Sequence, residues 1–362
     1  MNQKINLSIL GGGINSAIGR AHVSALQMDG LFRLSRACFS RDPRINQLSA
    51  KEYHLEDLEL LYTQSELLTV NSSDAVLLLT PTPQHYDQIQ TSANYFTNII
   101  SEKSLVTSFD QSKDLYQISK LKKRNIFTTL NYSGYPMVRE IAQRIQENEI
   151  GELYFIEIDM PQETFARHYK IQDWRKHDYE IPCISLDLGV HVFHLLKFLS
   201  SAKFSFSSGA YRKIKNIYNV VDNVSCELTS LSGNIVAQLS FSKIHLGERN
   251  GLRFKVIGEL GSFSWTQEVP DHFLKSNSHG EKTIVDRGSK LIHAGENRYQ
   301  RFKAGHPTGF IESLANLYRD LHDAIKASQS NSFISGVDEA VEFASIFDKS
   351  HTIWREMNWI TK

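Results

Sequence analysis

The sequence is poor in cysteine and has no excess of either charge, and each shortage excludes a class of protein. Its three cysteines, Cys38, Cys183 and Cys226, are widely spaced and form no CxxC pair, so they indicate neither a disulfide framework nor a zinc knuckle. Lysine plus arginine and aspartate plus glutamate each number 40 among 362 residues, and no block of like charges occurs. Neither a nucleic-acid partner nor a membrane surface therefore has an electrostatic basis.

Long hydrophobic runs are absent as well. No apolar stretch approaches the roughly 18 residues of a membrane span, and residues 1–4 lack the apolar core of a signal peptide, so we expect a cytoplasmic protein. The hydrophobic fraction of 41% and the charged fraction of 22% are ordinary for a globular protein. A chain of 362 residues is long for one hydrophobic core and predicts two domains.

A glycine-rich segment near the start of the chain is its most informative motif. The apolar run at residues 5–10 is followed by Gly11-Gly12-Gly13, a helix-like stretch at 17–28 and a second strand-like run at 34–40. A dinucleotide pyrophosphate needs this arrangement, because Gly11 allows a tight turn, Gly13 has no Cβ to block the phosphates and the helix offers N–H donors. The pattern predicts NAD or NADP binding, with an ordinary glycine turn as the alternative.

The motif departs from G-x-G-x-x-G at its third glycine, which serves close packing of helix on strand. Ser16 stands at that position, and Gly19 lies three residues further on. A side chain as small as serine is expected to allow nearly the same packing.

The end of the second strand bears on which nicotinamide cofactor is preferred. An acidic residue there usually binds the ribose 2′-hydroxyl of NAD, whereas this strand ends in Ser40-Arg41, with Asp42 further into the turn. A hydroxyl and a guanidinium can bind and neutralise a 2′-phosphate, which favours NADP. The alternative is that Arg41 stacks on the adenine and Asp42 binds the ribose, so that either cofactor is accepted.

Strand-like and helix-like segments alternate in the first third of the chain. Residues 75–80, 97–101 and 126–131 are strand-like, and Ser108 is predicted to cap a helix that reaches residues 120–123. This alternation predicts an α/β protein whose first domain, residues 1–130, is a doubly wound parallel sheet.

After about residue 150 the pattern changes to strands joined by tight turns, which is typical of an antiparallel sheet. A helix at 184–199 and amphipathic helices at 308–327 and 337–357 accompany these strands. Residues 272–300 have the polar composition of a long mobile excursion, a possible lid. The second domain is predicted to cover residues 131–362, with strands at residues 152–160, 204–211, 224–231, 234–241, 252–257 and 262–265.

Two short segments of the first domain carry side chains suited to a reaction. Thr80-Pro81-Thr82 ends a predicted parallel strand, where open α/β sheets bind ligands, and His85 lies one turn beyond. Glu102 and Lys103 follow another such strand, so Lys103 is expected to project over the cofactor crevice. The alternative for Glu102-Lys103 is a solvated pair of surface charges.

A third segment places Asp187 and His191 four residues apart on a predicted helix, which puts their Cβ atoms about 6 Å apart on one face. A carboxylate beside an imidazole favours the charged ring. Such a histidine suits a general base that takes a hydroxyl proton while hydride leaves the same carbon, although a histidine on a half-buried helix can also be a core residue. Asp187, His191 and His194 could instead hold a metal ion, but no further ligand cluster supports this, and we expect none.

Taken in order, these residues resemble the Gfo/Idh/MocA oxidoreductases, which include glucose–fructose oxidoreductase and inositol dehydrogenase. The resemblance spans nearly the whole chain, and it rests on Gly11-Gly12-Gly13, Thr80-Pro81, His85, Glu102-Lys103, Asn131-Tyr132, Trp174-Arg175, Asp187-x-Gly189-x-His191 and His306-Pro307-Thr308-Gly309-Phe310. It implies an N-terminal Rossmann domain and a C-terminal α+β domain with a large, mostly antiparallel open sheet. It also implies a homodimer or homotetramer that associates through the exposed face of that sheet.

The resemblance implies that Lys103, Asp187 and His191 form the catalytic set. In such enzymes the lysine orients or polarises the reacting oxygen, the histidine exchanges its proton, and hydride passes to or from the nicotinamide. The expected cofactor-binding residues are Gly11, Gly12, Gly13, Ile14, Asn15, Ser16, Ser40, Arg41, Thr80, Pro81, Thr82, His85, Glu102, Lys103 and Asn131. The expected substrate-binding residues are Tyr132, Trp174, Arg175, His191 and His306.

Three departures from the family pattern leave this set intact and leave the substrate open. Ser104 replaces the proline of Glu-Lys-Pro (often a cis-peptide element), Ile181-Pro182-Cys183 replaces glycines, and His194 replaces an aspartate. Arg175 is suited to a substrate carboxylate or phosphate, with a structural salt bridge as the alternative.

The sequence therefore predicts an enzyme, an NAD(P)-dependent dehydrogenase or reductase. Its expected substrate is a secondary alcohol or ketone of a sugar, cyclitol or sugar derivative. The alternative from another class is a catalytically inactive NAD(P)-binding regulatory or scaffold protein of the same fold, such as a galactose-pathway repressor that resembles this family. Retention of Lys103, Asp187 and His191 favours the enzyme, because a sensor need not keep all three.

Overall fold

The computed structural model describes residues 4–55, 57–70, 73–167, 170–327 and 331–359. The chain forms two compact units, Met1–Asn131 with Phe310–Glu342 and Tyr132–Gly309 with Phe343–Lys362. Among the described residues, no helix combines the length and the apolar character that crossing a membrane requires.

The first unit is built on a seven-stranded sheet. Its strands are β1 (Ile5–Gly11), β2 (Phe32–Cys38), β3 (Glu59–Leu60), β4 (Ala75–Leu79), β5 (Asn98–Ser101), β6 (Asn125–Thr128) and β15 (Ser335–Gly336). They lie in the order β15-β6-β5-β4-β1-β2-β3, and all neighbours are parallel except β15, which is antiparallel to β6. The helices are α1 (Gly19–Met28), α2 (Pro43–Glu52), α3 (Gln64–Leu68), α4 (His85–Ser92), α5 (Phe109–Lys122) and α8 (Phe310–Ala327).

The centre of this sheet explains why a late segment of the chain belongs to the first unit. Every residue of β4 is buried, and a strand buried on both faces needs helices on both sides. Leu314, Leu317 and Leu321 of α8 share one hydrophobic core with Ile9 and Leu77. The predicted second domain at 131–362 is therefore wrong for residues 310–342, because periodicity shows that a helix has an apolar face but not which sheet covers it.

The predicted strands and helices of the first third are present, with shifts at their ends. The Ser108 hydroxyl accepts the N–H of Gln111 at 3.2 Å, which confirms it as the cap of α5. The helix expected from residue 17 begins instead at Gly19, because the preceding residues form a turn in which the Ser16 hydroxyl accepts the N–H of Gly19 at 3.3 Å.

The second unit is built on an eight-stranded sheet. Its strands are β7 (Leu153–Pro161), β8 (Phe204–Arg212), β9 (Asn223–Ser230), β10 (Val236–Ser242), β11 (Arg253–Gly258), β12 (Gly261–Thr266), β13 (His272–Asn277) and β14 (Lys282–Asp286). Their order is β14-β13-β12-β11-β7-β10-β9-β8, and all neighbours are antiparallel except β7 and β10. Its helices are α6 (Pro136–Gln146), a π-helical turn (Ser185–Gly189) and α7 (Val190–Ser200). The last described helix, α9 (Val337–Trp359), contributes residues 337–342 to the first unit and its remainder to the second.

Side chains alternate between the two faces of this sheet. In β9 every second residue is buried, beginning at Val224, and Phe241 of β10 and Phe193 of α7 lie in the buried layer. On the other face Glu157, Gln238 and Lys255 are exposed. The large, mostly antiparallel sheet expected from the sequence is therefore present, with one polar face.

The possible lid at residues 272–300 is wrong for its first half. β13 and β14 form a hairpin that extends the sheet, and their polar residues gave this segment the composition of a loop. Residues 292–294, which follow the hairpin, are fixed by hydrogen bonds to α6. Glu140 of α6 accepts main-chain N–H groups of Ile292, His293 and Ala294 at 2.8–3.1 Å.

Gly19 is the glycine that lets α1 approach the first sheet. A Cβ atom at Gly19 would lie 1.9 Å from the carbonyl oxygen of Gly12, a distance that no side chain tolerates. The third glycine of the motif is thus Gly19 rather than the position of Ser16. Gly11 and Gly12 have φ values of +81° and +73°, where other residues are strained.

Substituting Gly19 by alanine is expected to push α1 away from Gly12. Overpacking of this kind typically costs about 1–3 kcal/mol, so the thermal midpoint falls, and the affinity for nicotinamide cofactor falls with it. Circular dichroism melting and cofactor titration measure the two effects. Gly295→Ala is the matched control, because a Cβ there meets nothing closer than 3.6 Å. Wild-type behaviour of Gly19→Ala would contradict the close contact.

Candidate active site

The glycine turn of the first unit is shaped by packing beneath it. The hydroxyl of Tyr53 donates to the carbonyl of Gly12 at 2.9 Å, and the N–H of Ile14 donates to Ser49 Oγ at 3.0 Å. A Cβ at Gly13 would lie 3.0 Å from both the Phe39 carbonyl and Ser49 Oγ. A side chain at Gly13 would therefore crowd its neighbours within the protein. Asn15 in the same turn is exposed.

The turn after β2 carries the residues that bear on cofactor choice. Asp42 caps α2, because its carboxylate accepts the N–H of Arg44 at 2.9 Å. Ser40 Oγ accepts the N–H of Asp42 at 3.1 Å, and the Arg41 side chain is exposed. The Asp42 carboxylate thus serves as a helix cap, while Arg41 extends from the turn.

His85 lies inside the first unit rather than at its surface. Its Nδ1 lies 2.7 Å from the Ser104 carbonyl oxygen and its Nε2 lies 2.7 Å from the Thr80 carbonyl oxygen, and the residue is 0% exposed. We correct its expected role accordingly: the ring ties the loop after β4 to the loop after β5 instead of touching a ligand. Thr82 strengthens the same link, because its hydroxyl donates to the Lys103 carbonyl at 3.1 Å.

The other residues of these strand ends are placed as follows. The Thr80 hydroxyl donates to Gln88 Oε1 at 2.5 Å, and Pro81 precedes the short 3₁₀ turn Thr82–Gln84. Asn131 is buried, and its side-chain amide donates to Ser313 Oγ of α8 at 3.3 Å. The peptide bond between Lys103 and Ser104 is cis, although the proline that the family places there is absent.

Glu102 is the centre of a buried hydrogen-bond network. Nε2 of His22 in α1 lies 3.1 Å from Glu102 Oε1, and the Thr129 hydroxyl donates to the same oxygen. The other ring nitrogen of His22 lies 2.6 Å from the hydroxyl of Tyr318 in α8. The alternative of a solvated surface pair is wrong for Glu102, since its side chain is 13% exposed.

Charge and hydrogen bonding keep Glu102 ionised. Burial by itself raises the pKa of this carboxyl, but the hydrogen bond and charge of His22, the charge of Lys103 and the hydrogen bond from Thr129 outweigh it and lower the pKa from 4.5 to about 2. Lys103 is therefore the residue directly after a buried, ionised carboxylate at the end of β5.

In the second unit, Asp187 lies in a cluster of three ionic side chains. Arg175 Nε donates to Asp187 Oδ2 at 2.7 Å, and its Nη2 donates to Oδ1 at 2.8 Å. Lys243 Nζ donates to Asp187 Oδ2 at 2.5 Å. The Arg175 guanidinium also stacks 4.4 Å from the centroid of the Trp174 ring. Of the two alternatives for Arg175, this geometry favours the salt bridge over direct binding of a substrate anion.

His191 and Asp187 come from different helical geometries. Asp187 lies in the π-helical turn and His191 in the first turn of α7, so the α-helical spacing assumed from the sequence does not apply between them. Both are buried, at 6% and 7% exposure. Gly189 between them allows close packing, because a Cβ there would lie 2.9 Å from Phe241 Cζ.

Tyr132 packs edge-on against His191. The ring centroids are 4.9 Å apart at an interplanar angle of 84°, and Asn250 Nδ2 donates to the Tyr132 hydroxyl at 2.7 Å. Burial raises the pKa of Tyr132 well above its usual value, so the phenol keeps its proton and can donate it in a hydrogen bond. Asn250 also contacts Gln162 and Gln267 at 2.7 Å, which forms a row of amides beside the ring.

The remaining predicted residues lie elsewhere in this unit. His194 Nε2 lies 2.8 Å from Ser133 Oγ, and within the described ranges no group of three or more His, Cys, Asp or Glu side chains is placed to hold a metal ion. His306 is exposed on a loop whose main chain is held by Arg287, which donates to the His306 carbonyl at 3.1 Å.

Sequence reasoning missed four residues that shape these sites: His22, Tyr318, Lys243 and Asn250. His22, Lys243 and Asn250 each contact a predicted residue that is distant in sequence, and Tyr318 contacts His22. The sequence does carry one signal for Lys243: a lysine comes directly after the alternating apolar residues of β10.

Comparison with known proteins now decides the family. A model described as an oxidoreductase family with an NAD-binding Rossmann fold matches residues 5–130, and a model of the GFO/IDH/MocA C-terminal domain matches residues 138–264. The chain belongs to the Gfo/Idh/MocA oxidoreductase family. The resemblance and the fold class expected from the sequence are thereby confirmed, and the first unit is an NAD-binding Rossmann domain of an oxidoreductase.

Other members of the Gfo/Idh/MocA family share its full length. The uncharacterised oxidoreductase YfiI of Bacillus subtilis is 22% identical over 356 residues, covering 90% of this chain and 87% of that protein. An inositol dehydrogenase homologue from Azotobacter vinelandii, solved with NADH and myo-inositol, has a TM-score of 0.86 at 20% identity and covers 96% and 95% of the two chains. Levoglucosan dehydrogenase, solved with NADH and levoglucosan, has a TM-score of 0.84 at 19% identity and covers 97% of each chain.

Glu102→Gln is expected to destabilise the protein most at neutral pH. A pKa lowered from 4.5 to about 2 corresponds to a stabilisation of about 3 kcal/mol, present above the unfolded pKa and lost as pH falls toward the folded one. The stability gap between wild type and Glu102→Gln therefore narrows by about 1 kcal/mol between pH 7 and pH 4. Urea unfolding followed by circular dichroism measures it. The exposed Glu259→Gln is the control, and a gap independent of pH would contradict the buried charge.

Proposed function

We propose that the protein is an NAD(P)-dependent dehydrogenase or reductase that transfers a hydride between the cofactor and a CH–OH carbon of a sugar, cyclitol or sugar derivative. The observation that carries the proposal is the fixed Asp187 carboxylate, held by Arg175 and Lys243 just before the buried His191. Relatives solved with NADH and a cyclitol or an anhydrosugar support the substrate class.

The residues of the first unit fit a bound dinucleotide. Gly11 and Gly12 supply a turn with positive φ, and Asn15 in the same turn is exposed. The N–H groups that begin α1 are suited to a pyrophosphate. When bound there, NAD(P) would supply the hydride acceptor or donor. Ile14, Ser16 and the strand-end residues Thr80 to Thr82 are proposed to line the same site.

The proposed chemistry divides among three side chains. His191 takes the hydroxyl proton during oxidation and returns it during reduction. Lys103, beside the buried charge of Glu102, polarises the reacting oxygen. Asp187, held by its two cations, is proposed to tune the proton affinity of His191, and the Tyr132 hydroxyl is proposed to donate a hydrogen bond to a substrate hydroxyl group. Trp174 and His306 are proposed as further substrate contacts.

A catalytically inactive regulatory protein of the same fold is the alternative, and only turnover separates the two. Uronates, inositols and nucleotide sugars are therefore screened in both directions with NAD and NADP, and the absorbance of the reduced nicotinamide is followed. Turnover of one of these classes supports the proposal. Tight cofactor binding without turnover of any class favours the regulatory alternative.

We also propose that the protein assembles as a homodimer or homotetramer. The polar face of the second sheet supports this assembly, because it places acidic residues beside basic ones: Glu157 is paired in register with Lys255, and Asp159 with Arg253. When the polar faces of two copies meet, an acidic residue of one copy can form an ion pair with a basic residue of the other.

His191→Ala is expected to slow hydride transfer by about 10²–10⁴-fold, because the proton then has no positioned acceptor. Cofactor affinity stays within about twofold of wild type, since His191 lies outside the Rossmann unit. Stopped-flow single turnovers measure the first quantity and fluorescence titration the second. His279→Ala, at an exposed hairpin turn, is the control. A full single-turnover rate in His191→Ala would remove this residue from the mechanism.

The exposed Arg41 and the cap role of Asp42 favour NADP over NAD. Arg41→Ala is expected to weaken NADP binding by about 10–100-fold through loss of a charge-assisted hydrogen bond, and to leave NAD binding nearly unchanged. Titration of both cofactors at low and physiological salt measures this, with the exposed Arg33→Ala as control. Equal or tighter binding of NAD, unaffected by Arg41→Ala, would overturn the preference and leave the dehydrogenase proposal untouched.

A further inference from the structure

Lys243 is buried without any place in the reaction described so far. Its side chain is 1% exposed, and its ammonium lies 5.2 Å from the centroid of the Phe165 ring. Main-chain hydrogen bonds fix its position, because its N–H donates to the Asp222 carbonyl at 3.0 Å and its carbonyl accepts the N–H of Phe165 at 2.8 Å. A lysine that loses its water in this way needs a counter-charge of good geometry.

That counter-charge is Asp187, which already has a cation. Oδ2 accepts both Arg175 Nε and Lys243 Nζ, while Oδ1 accepts Arg175 Nη2. Three charge-assisted hydrogen bonds fix the rotation of the carboxylate and hold it ionised. Two cations thus face one anion where a single salt bridge would satisfy it.

The other carboxylates beside this cluster keep their charge and are engaged elsewhere: that of Asp222 accepts the main-chain N–H groups of Ile214 and Lys215 at 2.9 and 2.7 Å. Both carboxylate oxygens of Asp178 accept main-chain N–H groups, from Cys183 at 3.1 Å and Val221 at 2.9 Å. Burial raises the pKa of the Cys183 thiol to about 12, so the thiol is neutral, and the phenol of Tyr132 is neutral as well. Lys243 and Arg175 are thus two cations bonded directly to the Asp187 carboxylate, and they offset its charge.

We propose that Lys243 is a positioning residue for the reaction: it locks the Asp187 carboxylate in place and offsets its charge, so that His191 stays neutral and able to accept a proton. This inference rests on the proposed function. It differs from the pairing expected from the sequence, in which Asp187 acted on His191 as an unbalanced negative charge that favours the protonated ring.

Lys243→Met keeps most of the side-chain volume and removes the charge. It is expected to lower kcat by about 10–100-fold, with KM and cofactor affinity within about twofold of wild type. Loss of the cation favours protonated His191, so the acidic limb of the pH–kcat profile moves up by about half a pH unit or more. Lys243→Arg keeps the charge and is expected to keep the limb in place. Lys275→Met removes a cation paired with Glu149 and is the matched control.

A double-mutant cycle shows whether Lys243 acts through Asp187. In an Asp187→Asn background, Lys243→Met is expected to change kcat by no more than about twofold. If the two substitutions lower kcat independently, so that their fold-losses multiply, the inference is overturned. It is also overturned if the acidic limb of the pH–kcat profile stays in place in Lys243→Met, or if it moves by the same amount in Lys243→Arg. If Lys243→Met does not fold, Lys243→Gln takes its place in every comparison.

A readout without turnover separates this inference from the proposed function. The ring resonance of His191, assigned by its loss in His191→Gln, is followed by NMR against pH in wild type and Lys243→Met. The titration midpoint is expected to rise in the variant, and an unchanged midpoint would overturn the inference. If no sugar or polyol is turned over while the midpoint rises, the proposed function fails and the role of Lys243 toward Asp187 stands.

Discussion

Glu102 carries a negative charge inside the first unit, and a buried carboxylate is stable only where hydrogen bonds and opposite charge replace water. His22 from α1 and Thr129 after β6 supply those bonds, and Tyr318 from α8 holds the far side of His22. Elements from both ends of the chain therefore meet at one carboxylate. Because Lys103 is the next residue, this network also determines where Lys103 leaves the sheet.

The same constraint connects the cofactor turn to the end of β5. α1 contributes His22 to the buried charge, and it begins at Gly19, whose lack of a side chain allows contact with the Gly12 carbonyl. A shift of α1 would disturb the glycine turn and the support of Glu102 together. His85 adds a second link between the strand ends through the carbonyls of Thr80 and Ser104. In the first unit, direct contacts thus connect the proposed cofactor turn to the strand end that carries Lys103.

Local signals in the sequence predicted what depends on local geometry. The buried run of β4, the cap at Ser108 and the glycine turn were all visible, because each follows from neighbouring residues. The sequence did not show that α8 belongs to the first unit, because an apolar helix face does not indicate which sheet it packs against. The hairpin of β13 and β14 looked like a loop because one of its faces is polar. Lys243 was missed because its partner Asp187 is far away in sequence. The π-helical turn around Asp187 was missed because its residues follow no pattern that distinguishes it from an α-helix.

The central claim is that this chain performs chemistry on a carbinol carbon rather than only binding a nicotinamide. Isotope transfer tests it most directly: a mixture of ketoses, keto-inositols and keto-uronates is incubated with NADH and NADPH deuterated at the transferring position of C4, and the products are analysed by mass spectrometry. Direct hydride transfer predicts that, in a single substrate class, one carbonyl carbon is reduced to an alcohol that carries one deuterium on that carbon (CD–OH). Cofactor bound at saturation with no deuterium in any product would contradict the account.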